Sequence, residues 1–235
     1  MGYTSRPTGH NALADFTLDD LIACYRTGIF PMSDARDDEY LFLVDPPLRG
    51  VLPLDGFHIP SRLARTVRKD DYTVRVDTAF TQIIELCAES ASDRASTWIS
   101  HSIQALYQAL FARGLAHSIE VWRDDPVTGN RLIGGLYGVA IGGAFFGESM
   151  VSRATDASKI ALVHLVARLK AGGYTLLDCQ FQTDHLRQFG VVEIPRETYR
   201  RQLKKAIDLK CDFYELPGHT SGVMALEAIA GNEEG

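Results

Sequence analysis

The sequence predicts an α+β fold, because strand-like and helix-like apolar patterns alternate along its second half. Residues 131–139 and 144–151 are apolar runs on either side of a glycine-rich turn, and they predict an antiparallel pair of strands. Residues 156–171 carry apolar side chains at helical spacing and end at two glycines. Residues 175–177 form a short apolar run that ends in Asp178-Cys179-Gln180 and predicts a further strand. A strand, a helix and a strand in this order are typical of a crossover unit whose strands lie side by side.

The remaining elements divide into a small N-terminal α/β domain, residues 1–60, and a larger domain, residues 61–235. In the first, a helix stopped by Gly28 precedes a strand over residues 41–44. The larger domain loses periodicity from about Cys211 onward, and we expect a mobile tail there. The same criteria predict helices over residues 61–69, 80–87 and 103–113 and from Pro195 onward, and strands over residues 72–76, 117–122 and 191–194.

Composition and charge indicate an ordinary globular protein. The chain has 235 residues, of which 46% are hydrophobic and 23% are charged. Its formal net charge of -6 argues against a general nucleic-acid coat, although it allows a small local RNA contact. The sequence shows neither an apolar signal core nor a run of transmembrane length, so we expect a cytoplasmic protein without membrane contact. The four cysteines have no metal-ligand spacing, and we expect free thiols and no metal site.

Two acids and one amide lie in runs that otherwise look buried: Glu148, Asp178 and Gln180. No obvious Lys or Arg accompanies the acids, and burying an unpaired carboxylate costs several kcal/mol. Asp178 and Gln180 are two apart on the predicted strand, so we expect their side chains to share one face. Glu148 lies on the strand before the crossover helix, and all three side chains can converge at neighbouring strand ends. Each acid taken singly is also explained as a surface or capping residue, whereas the set favours a functional site.

Several short motifs in and around this region are those of one bacterial family. They occur in order from about residue 17 to residue 200, and a set of motifs in register is far more specific than any one of them. The sequence resembles the leucyl/phenylalanyl-tRNA–protein transferases in these motifs: Gly28-Ile29-Phe30-Pro31, Thr97-Trp98-Ile99, Ala116-His117-Ser118-Ile119-Glu120, Gly134-Gly135-Leu136-Tyr137-Gly138-Val139, Gly147-Glu148-Ser149-Met150, Ser152-Arg153, Ala157-Ser158-Lys159 and Asp178-Cys179-Gln180.

The resemblance implies an aminoacyltransferase with a GNAT-like acyltransferase core. Such an enzyme transfers Leu or Phe, and also Met, from an aminoacyl-tRNA to the N-terminal Lys or Arg of a protein. The new terminus then marks that protein for proteolysis by the N-end rule. The expected partners are Leu-tRNA, Phe-tRNA and the acceptor proteins, and we expect a monomer that needs no cofactor. Because an aminoacyl ester is already activated, a neutral amine can attack it without metal or ATP.

Individual residues can be given roles in this chemistry. Asp178 can orient Gln180, whose carbonyl can accept a hydrogen bond from the attacking amine, and Glu148 can hold a cationic group of the acceptor. Spacing does not decide which acid contacts which group. The resemblance suggests that Trp98 contacts the aminoacyl-adenosine, although a lone Trp is more often a core residue. It further suggests a donor side-chain pocket lined by Leu136, Phe145, Met150, Leu162, Leu165, Leu169 and Leu177, and tRNA contacts from Arg62, Arg65, Arg68 and Lys69.

Two of these assignments have an open alternative. The basic residues over residues 61–69 are also explained as the solvated face of a helix. In a regular strand Phe145 and Met150 point to opposite faces. Either Gly147 marks a bulge, or one of these two side chains lies outside the pocket.

Two other functions compete with aminoacyl transfer. An acetyl-CoA-dependent GNAT N-acetyltransferase would share the strand–helix–strand order, but such enzymes bind pyrophosphate on a glycine-rich turn at a helix N-terminus. The corresponding turn, residues 152–158, has no glycine, and Asp156 would repel a phosphate. The second alternative is a non-catalytic RNA- or peptide-end-binding module. A buried Asp178 and Gln180 on one face argue against it.

Overall fold

The computed structural model describes residues 11–12, 16–89, 97–125 and 129–231. None of the helices in these segments is both long and apolar enough to cross a membrane. The strands are β1 (Asn11–Ala12), β2 (Phe30–Met32), β3 (Tyr40–Val44), β4 (Leu48–Leu52), β5 (Thr73–Val76), β6 (Ala116–Asp125), β7 (Gly129–Ile141), β8 (Ala144–Ser152), β9 (Leu176–Gln180) and β10 (Val192–Pro195). The helices are α1 (Leu18–Thr27), α2 (Ser61–Lys69), α3 (Phe80–Ala88), α4 (His101–Ala112), α5 (Ala157–Ala171), α6 (Asp184–Arg187), α7 (Arg196–Ala206) and α8 (Gly222–Ala230).

Within the described segments the strands form two sheets. The larger sheet has the order β10–β4–β9–β8–β7–β6–β5, and the smaller has the order β1–β3–β2. Every neighbouring pair is antiparallel except β8 and β9, which are parallel. The prediction of an α+β fold is therefore confirmed, and the chain is a mixed α+β protein around one large mixed sheet.

The crossover unit is present as the sequence predicts. β7 and β8 pair as antiparallel neighbours, and α5 connects β8 to its parallel neighbour β9. Most of α5 is buried, including Arg168, because the helix packs against the sheet and is also contacted by α2 and α8. A helix enclosed in this way has no polar face, and its sequence is accordingly apolar around most of its circumference.

Two hydrophobic clusters cover the two faces of the large sheet. Side chains alternate between the faces along a strand. Phe145 and Leu177 belong to the cluster that includes α5, whereas Phe146 and Leu176 belong to the cluster that includes α1, α3, α4 and α7. We call these the α5 face and the α1 face. The sheet thus separates two cores. Side chains of the two cores can contact each other only where neighbouring strands separate.

The strand β4 is the main element that the sequence analysis did not assign. It lies between β10 and β9 in the large sheet, so part of the first 60 residues belongs to the central sheet. Arg49 and Gly50 stand in the middle of this five-residue strand, where a strand pattern calls for apolar or β-branched residues. The predicted division at residue 60 stays a prediction.

The end of the chain has more regular structure than the sequence predicts. The expected loss of structure from about Cys211 onward is wrong, because residues 222–230 form α8, which packs against α5 and α2. The buried residues of α8 are the small Gly222 and Ala225, so a pattern based on large apolar side chains does not reveal the helix. The connection to α8 is held by the Arg168 guanidinium, which donates at 2.8, 2.5 and 2.6 Å to the carbonyl oxygens of Phe213, Leu216 and Pro217.

The contact between α8 and α2 can be tested at Gly222. A Cβ built on Gly222 would overlap with the carbonyl oxygen of Val67. We expect Gly222→Ala to lower the free energy of unfolding by about 1–3 kcal/mol, as overpacking a tight contact does. Urea denaturation of parent and variant measures the change. Gly218→Ala is the matched control, because a Cβ at Gly218 would meet nothing within 4 Å. Equal stability of the two variants would contradict the packing of α8.

Candidate active site

The candidate site lies where the two parallel strands separate. β8 and β9 pair at Ala144 with Leu176, at Phe145 with Leu177 and at Phe146 with Asp178. Beyond these pairs β9 continues alongside β4, and β8 continues alongside β7. The gap is bridged by side chains, since Gln180 Nε2 donates a hydrogen bond to Glu148 Oε1 at 3.2 Å. The sheet therefore opens at this point, and the two faces can meet there.

Glu148 enters the gap because β8 bulges. The register between β7 and β8 shifts so that Tyr137 faces Ser149 and Gly138 faces Gly147, which leaves Glu148 as the extra residue of the bulge. This resolves the alternative about Phe145 and Met150. The bulge restores their alignment, and both side chains contact the same hydrophobic cluster on the α5 face.

The Glu148 carboxylate is held by two buried tyrosines. Tyr25 of α1 donates to Oε1 at 2.6 Å, and Tyr107 of α4 donates to Oε2 at 2.8 Å. The two tyrosine oxygens are also 2.7 Å apart. When Glu148 is ionised, the two hydroxyl protons serve two of these three contacts. When Glu148 is protonated, its own O–H can donate to one tyrosine, which then donates to the other.

Burial and hydrogen bonding act on the pKa of Glu148 in opposite directions. Burial raises the pKa of Glu148 from 4.5 to about 7, although the O–H donors of Tyr25 and Tyr107 act to lower it. Burial and the neighbouring Glu148 also raise the pKa of both tyrosines well above the ordinary value, so they remain donors. Glu148 therefore exchanges its proton near neutral pH.

Asp178 has a partner that the sequence analysis missed. The expectation that no Arg accompanies the acid is wrong, because Arg49 of β4 lies 129 positions earlier and binds it through two nitrogens. Arg49 Nε lies 2.9 Å from Oδ1 and 3.1 Å from Oδ2, and Nη2 lies 2.7 Å from Oδ2. Tyr199 of α7 also donates to Oδ2, at 2.6 Å. Asp178 and Arg49 are 0% and 1% exposed, so the pair is shielded from water.

The pairing also governs the charge of Arg49. Burial acts to lower the pKa of the guanidinium, but the Asp178 carboxylate outweighs burial and keeps the pKa above its ordinary value. Both members of the pair are therefore compensated charges, which is the condition for keeping ions inside a protein.

Gln180 departs from the predicted strand geometry. Its φ is +54°, in the left-handed region, so the residue leaves the regular strand conformation at the end of β9. Asp178 Oδ1 accepts a hydrogen bond from the backbone N–H of Gln180 at 2.8 Å, and the Gln180 side chain turns to Glu148 instead. Asp178 thus binds Gln180 through the backbone. The Asp178 side chain also binds Tyr199, and the Gln180 side chain binds Glu148, whose partners Tyr25 and Tyr107 lie on the same α1 face as Tyr199.

The residues proposed for the donor pocket lie together on the α5 face. Met150 packs against a cluster that contains the other six, which are Leu136, Phe145, Leu162, Leu165, Leu169 and Leu177. These six are at most 3% exposed. The tyrosines that hold Glu148 belong to the α1 face, so the pocket residues and Glu148 can meet only at the gap between β8 and β9. Their role as a pocket stays a prediction.

The remaining predicted site residues lie farther from Glu148. Trp98 is half-buried, and its ring meets the edge of Tyr107 with centroids 6.5 Å apart, which connects it to the tyrosines around Glu148. Helix α2 lies against α5 and α8, with its basic residues exposed. Lys69 pairs with Asp71. The exposed basic residues of α2 are Arg62, Arg65, Arg68 and Lys69.

Four residues of the site were missed from the sequence: Tyr25, Arg49, Tyr107 and Tyr199. The three tyrosines occupy the inward positions of their helices, which predicts burial but not what their hydroxyls bind. A buried tyrosine hydroxyl normally has a hydrogen-bond partner. The predicted burial of these tyrosines therefore indicated that each binds a polar group, without indicating which one. Arg49 gave a weaker signal, because it stood in a strand that the sequence did not reveal.

The structure offers little for a metal ion or a pyrophosphate. Among the described residues no group of three or more His, Cys, Asp or Glu side chains could hold a metal ion. Asp156, the N-cap of α5, has a left-handed backbone conformation, and its carboxylate binds Lys159 at 2.9 Å. The helix N-terminus that a phosphate would approach therefore already carries a carboxylate.

The fold and site define an α+β protein with a polar site at the separation of two parallel strands. The family described as leucyl/phenylalanyl-tRNA protein transferase matches residues 51–204, and its N-terminal domain matches residues 14–47. A relative of that name from Caulobacter vibrioides (strain NA1000 / CB15N) is 64% identical over 215 residues, which cover 92% of this chain and 97% of the relative. A relative of the same name from Phenylobacterium zucineum (strain HLK1) is 56% identical over 204 residues, covering 87% of this chain and 90% of the relative.

The chain belongs to the leucyl/phenylalanyl-tRNA–protein transferase family. Among solved structures, the crystal structure of FemX aligns with a TM-score of 0.47 and 12% sequence identity. The alignment covers 71% of this chain and 60% of that one.

The burial of the Asp178–Arg49 pair gives a stability prediction. Asp178→Asn leaves the Arg49 charge uncompensated, so we expect the free energy of unfolding to fall by about 3–5 kcal/mol, as when one partner of a buried ion pair is removed. Urea denaturation measures the change. The control is Asp19→Asn, because Asp19 and its partner Arg113 are 81% and 52% exposed, and exposed ion pairs contribute at most about 1 kcal/mol. Similar losses for both variants would contradict the buried pair.

The raised pKa of Glu148 gives a pH prediction. A carboxyl whose pKa is higher in the folded state contributes stability at low pH, and it loses that contribution as the pH rises through its folded pKa. Between 4.5 and about 7 we therefore expect the parent to lose stability relative to Glu148→Gln as the pH rises. Denaturant titrations of both proteins at pH 4.5, 6, 7 and 8 test this expectation. A stability difference that stays constant over that range would rule out the raised pKa.

Proposed function

We propose that the chain transfers a leucyl or phenylalanyl group from aminoacyl-tRNA to the N-terminal amine of a protein. Membership of the family over nearly the full length of its relatives carries this proposal. In the reaction the amine nitrogen forms a bond to the ester carbonyl carbon, and the bond from that carbon to the ribose oxygen of the tRNA breaks. One proton leaves the amine, and one is taken up by the ribose oxygen.

The finer features follow from the family resemblance and stand as part of the proposal. The acceptors are proteins with an N-terminal Lys or Arg, the donors are Leu-tRNA and Phe-tRNA and also Met-tRNA, and the product is marked for N-end rule proteolysis. We place the reaction in the cytoplasm, carried out by a monomer. A GNAT-like core is supported by the parallel strands β8 and β9, which separate beside the site.

The reaction makes three demands on the site. The acceptor α-ammonium must lose a proton, the neutral amine must be held about 3 Å from the ester carbon, and the developing oxyanion needs donors. Glu148 suits the first demand. Its pKa of about 7 lies close to that of an α-ammonium, about 7.7–8.0, so either group can pass a proton to the other near neutral pH.

Gln180 suits the second demand. Its Nε2 donates to Glu148, which leaves its Oε1 as an acceptor for an amine N–H. We therefore propose Glu148 and Gln180 as the groups that contact the acceptor amine. Asp178 is fully buried behind them and acts through the backbone of Gln180. Its part in catalysis, in this proposal, is to hold Gln180 in place.

The donor contacts complete the proposal. An apolar pocket on the α5 face would bind a Leu, Phe or Met side chain by burial, worth about 1.5–3 kcal/mol for a full side chain. Trp98, which lies beside Tyr107, would contact the adenosine that carries the ester. The exposed basic residues of α2 would contact tRNA phosphates, and such contacts weaken with salt.

A transfer assay tests the function. The parent protein is incubated with labelled Leu-tRNA, Phe-tRNA, Met-tRNA, Val-tRNA or Ile-tRNA and a peptide that begins with Arg. We expect label on the peptide from the first three donors, no label after RNase pretreatment, and none on the same peptide with an acetylated N-terminus. Gln180→Ala should lower the rate by about 100-fold or more, the scale of one lost catalytic group.

Three results would contradict the proposal. Acetyl transfer from acetyl-CoA to the Arg peptide would indicate an acetyltransferase instead. Binding of tRNA or peptide without turnover would indicate a binding module. Equal use of Val-tRNA and Leu-tRNA would leave the enzyme class intact but contradict a pocket shaped for Leu, Phe and Met.

A further inference from the structure

Arg49 contacts both α1 and β9, the two elements whose side chains donate hydrogen bonds to Oε1 of Glu148. Its Nε and Nη2 bind the carboxylate of Asp178 on β9, and its Nη1 donates to the carbonyl oxygen of Gly28 at 3.0 Å. Gly28 is the C-cap of α1, the helix that carries Tyr25. One guanidinium therefore joins the end of α1 to the end of β9.

The position of the guanidinium is tightly confined. Its carbon lies 4.5 Å from the ring centroid of Phe30 and 4.6 Å from that of Tyr199. The side chain is 1% exposed. A planar guanidinium that contacts two rings in a buried site can rotate or shift little without losing its contacts. The carboxylate and the carbonyl that it binds are therefore held in one arrangement.

The first path runs from Arg49 through α1 to Glu148. Gly28 has φ +84°, and its N–H donates to the carbonyl oxygen of Tyr25 at 3.0 Å, so the two residues share the last turn of the helix. A Cβ at Gly28 would lie 2.6 Å from Cε1 of Tyr199. The last turn of α1 therefore packs closely against α7, which limits where this turn can lie. Tyr25, which donates to Glu148, belongs to the same turn.

The second path runs from Arg49 through β9 to Glu148. Asp178 Oδ1, which Arg49 Nε binds, also accepts from the backbone N–H of Gln180. That hydrogen bond favours the left-handed backbone of Gln180, which is costly for a non-glycine residue. The same backbone directs Nε2 of Gln180 to the carboxylate of Glu148.

We infer that Arg49 is a positioning residue of the transfer reaction, because it fixes through Gly28 and Asp178 the two groups, Tyr25 and Gln180, that donate to Oε1 of Glu148. The inference rests on the proposed function of Glu148 and Gln180. Because Arg49 is 1% exposed, we assign its effect to the groups that it binds and not to contact with a substrate. A purely stabilising residue would support the fold without affecting the proton equilibrium of Glu148, and this difference makes the inference testable.

The charges around Glu148 give the expected direction of that effect. The groups that face its carboxyl are Tyr25 of α1, Tyr107 of α4, Gln180 and Asp178 of β9, and Arg49 of β4. Among the smaller influences, Asp178 raises the pKa of Glu148 and Arg49 lowers it. Removing Arg49 alone therefore leaves the Asp178 charge unopposed and raises that pKa. Removing the charges of both Arg49 and Asp178 leaves the pKa of Glu148 near its value in the parent.

The first arm of the experiment is kinetic. We expect Arg49→Gln to lower kcat by roughly 100-fold, the scale of a remote change that misplaces reacting groups, while leaving the KM for Leu-tRNA unchanged. Arg49→Lys should not restore kcat, because an ammonium cannot bind a carboxylate and a carbonyl with one rigid fork. The matched control is Arg168→Gln, since Arg168 is also buried and donates only to carbonyl oxygens beyond the site. It should lose stability and keep the kcat of the parent.

The second arm is a carbon-13 NMR titration of labelled Glu side chains without substrate, with the Glu148 signal assigned by Glu148→Gln. The parent should titrate near 7 at Glu148. Arg49→Gln should titrate at higher pH, and Arg168→Gln should match the parent. An unchanged titration in a folded Arg49→Gln protein would overturn the inference. Because this arm needs no substrate, it stays informative if the parent transfers nothing, a result that would refute the proposed function alone.

The double variant Arg49→Gln with Asp178→Asn keeps the test decisive if Arg49→Gln does not fold. It removes both buried charges, and its side-chain carbonyl at position 178 can still accept from the Gln180 N–H. We expect a folded protein whose Glu148 titrates near the parent value and whose kcat stays roughly 100-fold below that of the parent, because the guanidinium that joins α1 to β9 is missing. A folded double variant with the kcat of the parent would overturn the inference.

Discussion

The buried pair of Arg49 and Asp178 is the interaction on which the site depends. It joins β4 to β9 inside the large sheet, and through Gly28 and Tyr199 it also holds the ends of α1 and α7. Two ions removed from water are stabilised only when their geometry and remaining hydrogen bonds are satisfied. Here both Asp178 oxygens and all three guanidinium nitrogens have partners. Such a pair adds little net stability, but it strongly disfavours any other arrangement of the four elements that meet at it.

The site itself is built from two irregularities in neighbouring strands. β8 contains an extra residue, Glu148, and β9 ends in a left-handed residue, Gln180. Each irregularity turns a polar side chain into the gap that opens beyond Phe146 and Asp178. Regular strands would continue the ladder and close the gap. At this point a hydrogen bond between two side chains replaces the backbone pairing of the strands. The carboxyl that lies at the opening, Glu148, has a near-neutral pKa.

The parts of the fold that the sequence predicts correctly are those with local patterns. The β7–β8 pair, α5 and β9 follow from periodicity and glycine turns, and the pairing of β8 with β9 follows from the crossover rule. β4 was not predicted, because a strand with Arg and Gly at its centre has no strand pattern. α8 was missed because its buried residues are small.

The site shows the same limit. Glu148, Asp178 and Gln180 were identified as a set because polar residues in apolar runs need a physical reason. Their partners could not be identified from the sequence. Tyr25 is 123 positions from Glu148, and Arg49 is 129 from Asp178. Contacts at such separations depend on the order of strands in the sheet, which places β4 beside β9. The left-handed conformation of Gln180 was also hidden, because the residue type does not favour it and it accompanies a hydrogen bond to the Asp178 carboxylate.

The central claim is that Asp178 acts on the backbone of Gln180 and not on a substrate proton. Hydrogen exchange of backbone amides in the substrate-free protein tests this claim directly. The claim predicts that the Gln180 amide, bound to Asp178 Oδ1 at 2.8 Å, exchanges as slowly as the amide of Leu177 inside β9. Exchange of the Gln180 amide at the fast rate of an exposed loop amide would contradict it, because the Asp178 carboxylate would then be available for other contacts.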